Sequence, residues 1–447
     1  MTVADAPRNP RGQLLRVLGL SFGIAIAVGG MIGAGILRTP SLIAGLVPDV
    51  WLILALWALG AVHALLEANI VAELGTALPR SGGFYIYAQR AFGDLGGLMV
   101  GWPTWISRLA SSSALSVAFA DFLALLWPAA GRFTPEVAVA MLLVIFLFNM
   151  LGVRQGSALQ QITSFAKALA LVAFCIVAVI VAAPLHATSM AAVSAPAQAI
   201  GLLSIVGAYQ LIVGAYAGWY EPVFFTEEHV DPGRSIPRAM AFSILLTAVL
   251  YLSVNGALLY ALGAHGVALN ALPFTTVLNE AGGALPAILF AIGAMIVVAS
   301  CSNAGVMSAP RILLALSRDK LLPAAFQNVN KGGSPYVAFM LTAAGSIALA
   351  LSGSFSLLFG LIATLGSAAF VLVVASIFVL RRKEPALVRP FVARGFPWLP
   401  ALVFVIDLAL LGLFLNANWL GGLYAAILWI ACIPFAIVAR RARRRAA

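Results

Sequence analysis

Two glycine-rich stretches interrupt apolar segments of this chain. The first reads Gly29-Gly30-Met31-Ile32-Gly33-Ala34-Gly35-Ile36 and the second reads Gly214-Ala215-Tyr216-Ala217-Gly218-Trp219. A broken helix frees backbone N–H groups that attract an anion and backbone carbonyls that attract a cation. Glycines can also serve only to let helices pack closely. Because the two stretches occupy corresponding positions, in the first and sixth apolar segments, they favour a binding site for a small charged molecule.

A lysine lies in the middle of the fifth apolar segment. Lys167 is preceded by Phe165-Ala166 and followed by Ala168-Leu169-Ala170-Leu171-Val172. A cation at that depth in a membrane is costly, so its side chain should face the protein interior and have a partner. The alternative is a side chain that reaches back to the membrane surface, which lies about 15 Å away at the helical rise per residue.

Further charged residues lie inside other apolar segments: Glu67, Arg108, Asp121, Glu221 and Asp407. Glu221 and Glu67 are candidates for carrying a proton or for binding the cationic end of a substrate. Either of them could instead pair with Arg108. Glu221 is the stronger candidate because it follows the second glycine-rich stretch. His63 shares a helical face with Glu67, and a packed, hydrogen-bonded histidine is the favoured interpretation.

The composition requires a membrane. The chain has 447 residues, of which 62% are hydrophobic and 9% charged, and its mean hydropathy is +1.04. No soluble domain buries so much apolar surface. The net charge of +11 predicts no nucleic acid partner, because most basic residues fall in loops on one side. This bias places both termini in the cytoplasm and the basic tail, 440–447, beside anionic lipid.

Nothing in the sequence indicates an enzyme, a cofactor or a metal site. Cys175, Cys301 and Cys432 each lie in an apolar stretch without metal or disulfide spacing, so we interpret them as packing residues. The four histidines form no catalytic or metal-binding motif. The polar start of the chain lacks the features of a cleaved signal, so the first apolar segment is expected to be retained.

We expect an all-α membrane protein with about twelve spans, since each crossing needs about 20 apolar residues. Interrupted spans 1 and 6 predict a five-plus-five repeat. Residues 82–94 are expected to form an amphipathic helix at the membrane surface. The predicted organisation is an N-terminal segment 1–14, a first repeat 15–183, a second repeat 196–380, two further spans 397–439 and the tail 440–447.

Four sets of motifs carry a family resemblance: the first glycine-rich stretch followed by Thr39-Pro40; Ala72-Glu73-Leu74-Gly75 with Pro79-Arg80-Ser81-Gly82-Gly83; the second glycine-rich stretch with Glu227-Glu228 and Ile236-Pro237-Arg238; and Arg311 with Ser317-Arg318-Asp319-Lys320. With these motifs in this order, the chain resembles the amino acid–polyamine–organocation (APC) superfamily, and within it the L-amino-acid transporter branch. The resemblance implies the LeuT-like fold, with twelve helices and inverted repeats.

The resemblance also implies a pocket for the backbone of an amino acid. The carboxylate would meet the N–H groups of Gly33, Ala34 and Gly35. The ammonium would meet carbonyls around the two breaks, and the residues concerned are Met31, Gly214, Ala217 and Gly218. Ala34 stands where the family often has serine, and Gly214 stands where it usually has a bulky aromatic gate. These two departures either enlarge the pocket or shift the gate elsewhere, to Tyr216 or Trp219.

In related transporters that do not depend on sodium, a lysine at the position of Lys167 occupies a sodium site. The partners implied here are carbonyls near Gly29 and Gly30 and the polar run Ser300, Cys301, Ser302 and Asn303. Animal relatives bind a heavy subunit through a cysteine between spans 3 and 4. The corresponding loop, residues 127–135, has no cysteine, so we expect no disulfide-linked partner.

The leading prediction is a sodium-independent secondary transporter of L-amino acids, working by exchange or by proton coupling, in a bacterial inner membrane. The alternative is a polyamine or cationic amino acid carrier, motivated by Glu221 and Glu67. A channel is disfavoured because no ring of charges is visible. A sensor is disfavoured because no loop is long enough to be a soluble domain.

Overall fold

The chain folds into a succession of helices that follow its apolar segments. The computed structural model describes residues 14–192, 200–280, 284–351, 355–417 and 419–446. Its α-helices are α1 Leu20–Met31, α2 Ala34–Leu46, α3 Val50–Ala77, α4 Phe84–Leu126, α5 Thr134–Leu151, α6 Val153–Ala192, α7 Leu202–Tyr216, α8 Pro232–Leu269, α9 Pro273–Glu280, α10 Ala284–Arg318, α11 Tyr336–Leu351, α12 Phe355–Lys383, α13 Trp398–Ala417 and α14 Trp419–Ala446. Short 3-10 helices occupy Pro128–Phe133, Glu221–Glu228 and Ala324–Gln327. The all-helical class is confirmed.

Within the described ranges, nine helices are long and apolar enough to cross a membrane, or ten if the bent pair α1 and α2 counts as one span. Two shorter apolar helices, Tyr336–Leu351 and Gly422–Pro434, lie where spans 9 and 12 were expected. The protein is therefore a multi-pass membrane protein. The count of twelve spans stays a prediction.

Two spans are interrupted. α1 and α2 meet at an angle of 42°, with Ile32 and Gly33 outside helical geometry between them. The span that begins with α7 leaves its α-helix after Tyr216 and continues as the 3-10 helix Glu221–Glu228. These two interruptions lie in the glycine-rich stretches that the sequence singled out.

The segment expected to be an amphipathic helix packs one face into the bundle. Gly93, with φ of +80°, separates residues 84–92 from the rest of α4. The ring of Phe84 packs 5.5 Å from that of Phe224 and 5.4 Å from that of Phe370, whereas Arg90 and Phe92 are exposed. Its place at the membrane surface stays a prediction.

Several predicted boundaries fall outside the described residues. These are residues 1–13 of the N-terminal segment and most of the junction between the proposed repeats, since residues 193–199 are not described. The side chains of the tail 440–447 also lie outside the described part of the chain. The domain division therefore stays a prediction.

Candidate functional site

The first break leaves four backbone carbonyls without helical partners. The carbonyl of Val28 still accepts the N–H of Ile32, but the helix ends at Met31. The next four carbonyls, from Gly29 to Ile32, therefore need other donors. In a low-dielectric interior an unsatisfied carbonyl is costly, so the donors that reach these oxygens determine whether the break is stable.

Lys167 on α6 donates hydrogen bonds to two of these four backbone carbonyls. Its Nζ donates to the carbonyl oxygens of Gly29 at 2.7 Å and Ile32 at 2.6 Å, and its side chain has no solvent exposure. The ammonium thus lies inside the break, and the side chain does not reach back to the membrane surface. Of the carbonyls that the resemblance implied, it binds that of Gly29, whereas that of Gly30 has another donor.

The other two carbonyls have donors on α10 and α8. Cys301 on α10 donates its Sγ–H to the carbonyl of Gly30 at 3.3 Å. The hydroxyl of Tyr251 on α8 lies 2.8 Å from the carbonyl of Met31 and 3.1 Å from that of Ala215. Cys301, which belongs to the polar run expected near Lys167, is therefore more than a packing residue. Sequence reasoning had not assigned Tyr251 to the site, because it lies in apolar surroundings.

On the other side of the break, the first backbone N–H groups of α2 have no side-chain acceptor. α2 begins at Ala34 after Gly33, and no side chain caps this N-terminus. Ala34 and Gly35 are only half-buried. The break therefore presents unsatisfied N–H groups and the positive end of a helix dipole, while each of its orphan carbonyls has a protein donor. This arrangement favours a carboxylate.

The second break lies in the later part of its glycine-rich stretch. Gly214 remains within α7, and extended geometry starts at Ala217, with Gly218 at φ of +121°. A helix tolerates glycine at a cost of about 1 kcal/mol, so Gly214 alone does not end it. Within this stretch only Gly218 has a backbone conformation that side chains rarely adopt.

The two breaks touch through their glycines. A Cβ on Gly30 would lie 3.1 Å from Cα of Gly218, and a Cβ on Gly218 would overlap the backbone of Gly30 and Met31. The absence of side chains lets the two backbones meet. Ala217 and Gly214 are exposed, so the carbonyl side of the second break is open to a small molecule, although Ala217 N–H donates to Gly214 O at 3.3 Å.

The two gate candidates are both buried. The hydroxyl of Tyr216 donates to the carbonyl of Trp57 at 3.2 Å, and its ring packs against those of Trp57 and Tyr251. Tyr216 thus joins α3, α7 and α8 in this conformation. Trp219 is 2% exposed and packs against the rings of Tyr220 and Phe370, beside the second break.

Ser300 belongs to a group of hydrogen-bonded polar side chains on α6 and α10. Its hydroxyl accepts from Thr163 Oγ1 at 3.0 Å, and no described hydrogen bond joins it to Lys167. In the same group the side-chain amide of Asn303 donates to Gln160 Oε1 at 2.7 Å. Ser164 donates to the carbonyl of Ala25 at 2.7 Å. The described side-chain partners of Ser300 are Thr163 and Gln160, and its role beside Lys167 stays a prediction.

Glu221 pairs with Arg108, in a buried ion pair between the 3-10 helix and α4. The guanidinium also lies 4.6 Å from the ring centre of Phe224. The second carboxyl oxygen of Glu221 has no hydrogen bond; Ser308 lies beside this carboxyl, but its hydroxyl donates to backbone carbonyls. The charge of Glu221 is thus compensated within the protein.

Glu67 does not join this pair. It lies with His63 and Asp407 in a separate buried cluster between α3 and α13, which is described further below.

A second group of charges closes the bundle at the end where α1 begins. Arg311 binds both carboxyl oxygens of Glu228 at 3.0 and 3.1 Å, and both side chains are almost fully buried. Arg318 binds Glu227 at 2.7 Å, and Arg80 binds Asp319 at 2.9 Å. The charged motifs that carried the resemblance thus meet in one network.

The segment before α1 is tied to the segment after the 3-10 helix. Leu18 donates its N–H to the carbonyl of Glu228 at 2.8 Å and accepts from Val230 at 2.9 Å. Between these two lies His229, whose Nδ1 is 3.0 Å from the hydroxyl of Ser235 and whose Nε2 has no partner. Burial lowers the pKa of His229 to about 4, so the ring is neutral near pH 7.

A helical membrane protein whose two interrupted spans meet at their breaks has the architecture of a transporter. The sequence profile of the family described as amino acid permease matches residues 18–439 of the chain. This chain therefore belongs to the amino acid permease family of the APC superfamily, and it is an amino acid transporter and not an enzyme.

Three relatives span most of the chain. The serine/threonine exchanger SteT of Bacillus subtilis is 24% identical over 404 residues, which are 89% of this chain and 91% of the relative. The branched-chain amino acid permease BcaP of the same organism is 27% identical over 434 residues, 91% and 89% of the two chains. The human cystine/glutamate transporter is 27% identical over 452 residues, 95% and 88% of the two chains.

Proposed function

We propose that this protein is a sodium-independent transporter of L-amino acids that works by alternating access. One observation supports this most directly: at the first break, protein side chains reach all four orphan carbonyls while the N–H groups of α2 remain uncapped. The cation that a break of this kind would bind is replaced by the ammonium of Lys167. The anion that it would bind is left to the substrate.

We further propose that the amino acid lies across the two breaks. Its carboxylate would accept from the N–H groups of Gly33, Ala34 and Gly35. Its ammonium would meet carbonyls near Met31 and Ala217, for which the exposure of Ala217 and Gly214 leaves room. Trp219 is the stronger gate candidate, since the hydroxyl of Tyr216 is bound to the carbonyl of Trp57.

Around this site we propose twelve spans in two inverted repeats, residues 15–183 and 196–380, followed by two further spans. Both termini would be cytoplasmic in a bacterial inner membrane. The ion-pair network at the start of α1 would then close the cytoplasmic side, and the accessible backbone of the breaks would face the other side. We expect no disulfide-linked heavy subunit, since Cys175, Cys301 and Cys432 all lie in helices.

Uptake by proteoliposomes tests the proposal. Purified protein should exchange internal and external radiolabelled L-serine or L-leucine equally well in sodium and in choline buffers. A panel of unlabelled amino acids, with arginine and putrescine included, identifies the substrate by competition. Strong sodium dependence would refute the proposed role of Lys167. Because Arg108 neutralises Glu221, we expect arginine and putrescine to compete poorly, and strong competition by them would favour the cationic alternative.

A further inference from the structure

A cluster of three ionisable side chains lies apart from the pocket, within the membrane-spanning part of the protein. Nε2 of His63 is 3.3 Å from Oδ1 of Asp407 and 3.9 Å from Oε1 of Glu67. The side chain of His63 is 3% exposed, that of Asp407 is 8% exposed and that of Glu67 is 11% exposed. Nε2 of His63 makes no well-directed hydrogen bond, and Oδ2 of Asp407 has no partner.

The charges of this cluster are not balanced by the rest of the protein. Two ionised carboxyl groups beside a neutral imidazole would leave two negative charges in a buried site. In the described ranges no lysine or arginine forms an ion pair with either carboxyl group. Such a concentration of charge is strongly unfavourable within a membrane. The cluster must therefore hold at least one added positive charge.

The surroundings of the cluster connect it to the second break. The ring of Tyr209 on α7 stacks on that of His63, with centres 6.1 Å apart. α7 ends at Tyr216, directly before the second break, so this stacking joins the cluster to the broken span. Among the described residues, Tyr220 also faces Glu67, and it lies beside the Arg108–Glu221 pair.

We propose that His63, Glu67 and Asp407 form a proton-binding site that couples amino acid transport to a proton gradient, with Tyr209 on α7 as the link to the second break. This inference rests on the proposed transport function. Gain of a proton adds a positive charge to the cluster beside the stacked ring of Tyr209, and loss of a proton removes it. The protonation state of the cluster would therefore change how firmly α7, which leads into the second break, is held. The proton can be held by His63 or shared with either carboxyl group.

The test uses the full chain in proteoliposomes with radiolabelled L-serine and L-leucine, each assayed with and without a pH gradient that is alkaline inside. With one proton per amino acid, a gradient of one unit should give accumulation of up to about tenfold. Glu67→Gln keeps the size of the side chain but cannot bind the proton. It should exchange substrate at equal pH within about threefold of the wild-type rate and lose accumulation.

Asp121→Asn is the matched control, because Asp121 lies on α4, pairs with Arg38 and is about half-exposed. It should retain gradient-driven accumulation. If Glu67→Gln does not purify as a monodisperse protein, Asp407→Asn provides the same test. The proposal is overturned if the wild type accumulates substrate to the same level with and without the pH gradient. It is also overturned if Glu67→Gln still accumulates substrate in response to the gradient.

A metal ion is the rival occupant, since the three ligand atoms lie within 4.8 Å of one another. If EDTA abolishes accumulation and Zn²⁺ restores it, the proton is the wrong occupant. Absence of any exchange of serine or leucine at equal pH would instead count against the proposed transport of these amino acids. The two failures are therefore distinguishable.

Discussion

Replacing Lys167 by methionine removes the ammonium from the first break and keeps most of the side-chain volume. The change leaves two buried carbonyls, those of Gly29 and Ile32, without their donor. No solvent can replace it, because Lys167 has no exposed surface. The broken helix should then be less stable in the geometry that presents the N–H groups of α2.

The magnitude follows from the two hydrogen bonds. A hydrogen bond that involves a charged group contributes about 1.5–3 kcal/mol, and an orphan buried carbonyl adds its own penalty. Desolvation of the ammonium offsets part of this, so we take a net loss of about 3 kcal/mol. If the loss falls on the binding-competent conformation, the apparent affinity for substrate should fall about 100-fold.

Equilibrium binding of radiolabelled L-serine or L-leucine to purified protein measures the effect, with the melting temperature as a second readout. Lys383→Met is the control. The Nζ of Lys383 also donates to a backbone carbonyl, that of Ala91 at 2.9 Å, but the residue is exposed. Water can replace this bond, so Lys383→Met should bind within about threefold of the wild type.

The reasoning is refuted if Lys167→Met binds substrate and melts like Lys383→Met. It is also refuted if Lys167→Met melts at a lower temperature but keeps its affinity. That result would mean that the ammonium stabilises the fold without favouring the conformation that binds the amino acid.

Two further predictions concern the second break and the segment after it. Gly218→Ala should abolish transport in the uptake assay, because Gly218 has a φ of +121° and its Cβ would overlap the backbone of Gly30. The control is Gly256→Ala on α8, where a Cβ would meet open space. This variant should transport normally in the same assay. Burial lowers the pKa of His229 from 6.5 to about 4, so the unfolded chain binds a proton in this interval that the folded chain does not. Stability should be complete above about pH 6.5 and fall by up to about 3 kcal/mol as the pH drops toward 4. Melting temperatures across this range should fall less in His229→Gln than in the wild type, whereas the exposed His265→Gln should keep the wild-type slope.

The sequence predicted the breaks well because the physical rule behind them is strong. A membrane-spanning helix cannot lose hydrogen bonds without a compensating environment, so clustered glycines in an apolar segment carry information. The sequence predicted less well at which residue of each stretch the helix ends. Gly214 and Gly218 look equivalent in the sequence, and only the structure distinguishes a tolerated helical glycine from one with positive φ.

The partners of buried groups were harder to predict. The cost of a membrane lysine marks Lys167 as a residue that needs a partner, but the cost does not identify the partner. The spacing of His63 and Glu67 predicts that they share a helical face, whereas Asp407 is distant in the chain. For the same reason the sequence could not decide whether Glu221 or Glu67 pairs with Arg108. Tyr251 gave no signal, since tyrosine is common in apolar surroundings.

The contacts around α1 also restrict how the protein can change conformation. α1 is held to the second broken span at both ends, through Gly30 against Gly218 and through Leu18 against the backbone around His229. A motion that preserves these contacts carries α1 and the 3-10 helix together.

Such a motion must break bonds to the neighbouring helices, among them the ion pairs between the 3-10 helix and α10. The Arg318–Glu227 pair is about one-quarter exposed on each side and contributes about 0–1 kcal/mol. The Arg311–Glu228 pair is almost completely buried, and separating it without solvation would cost about 3–5 kcal/mol. Opening at this end therefore requires water to reach Arg311 and Glu228 as they separate, so their hydration and not the outer ion pair should set the barrier.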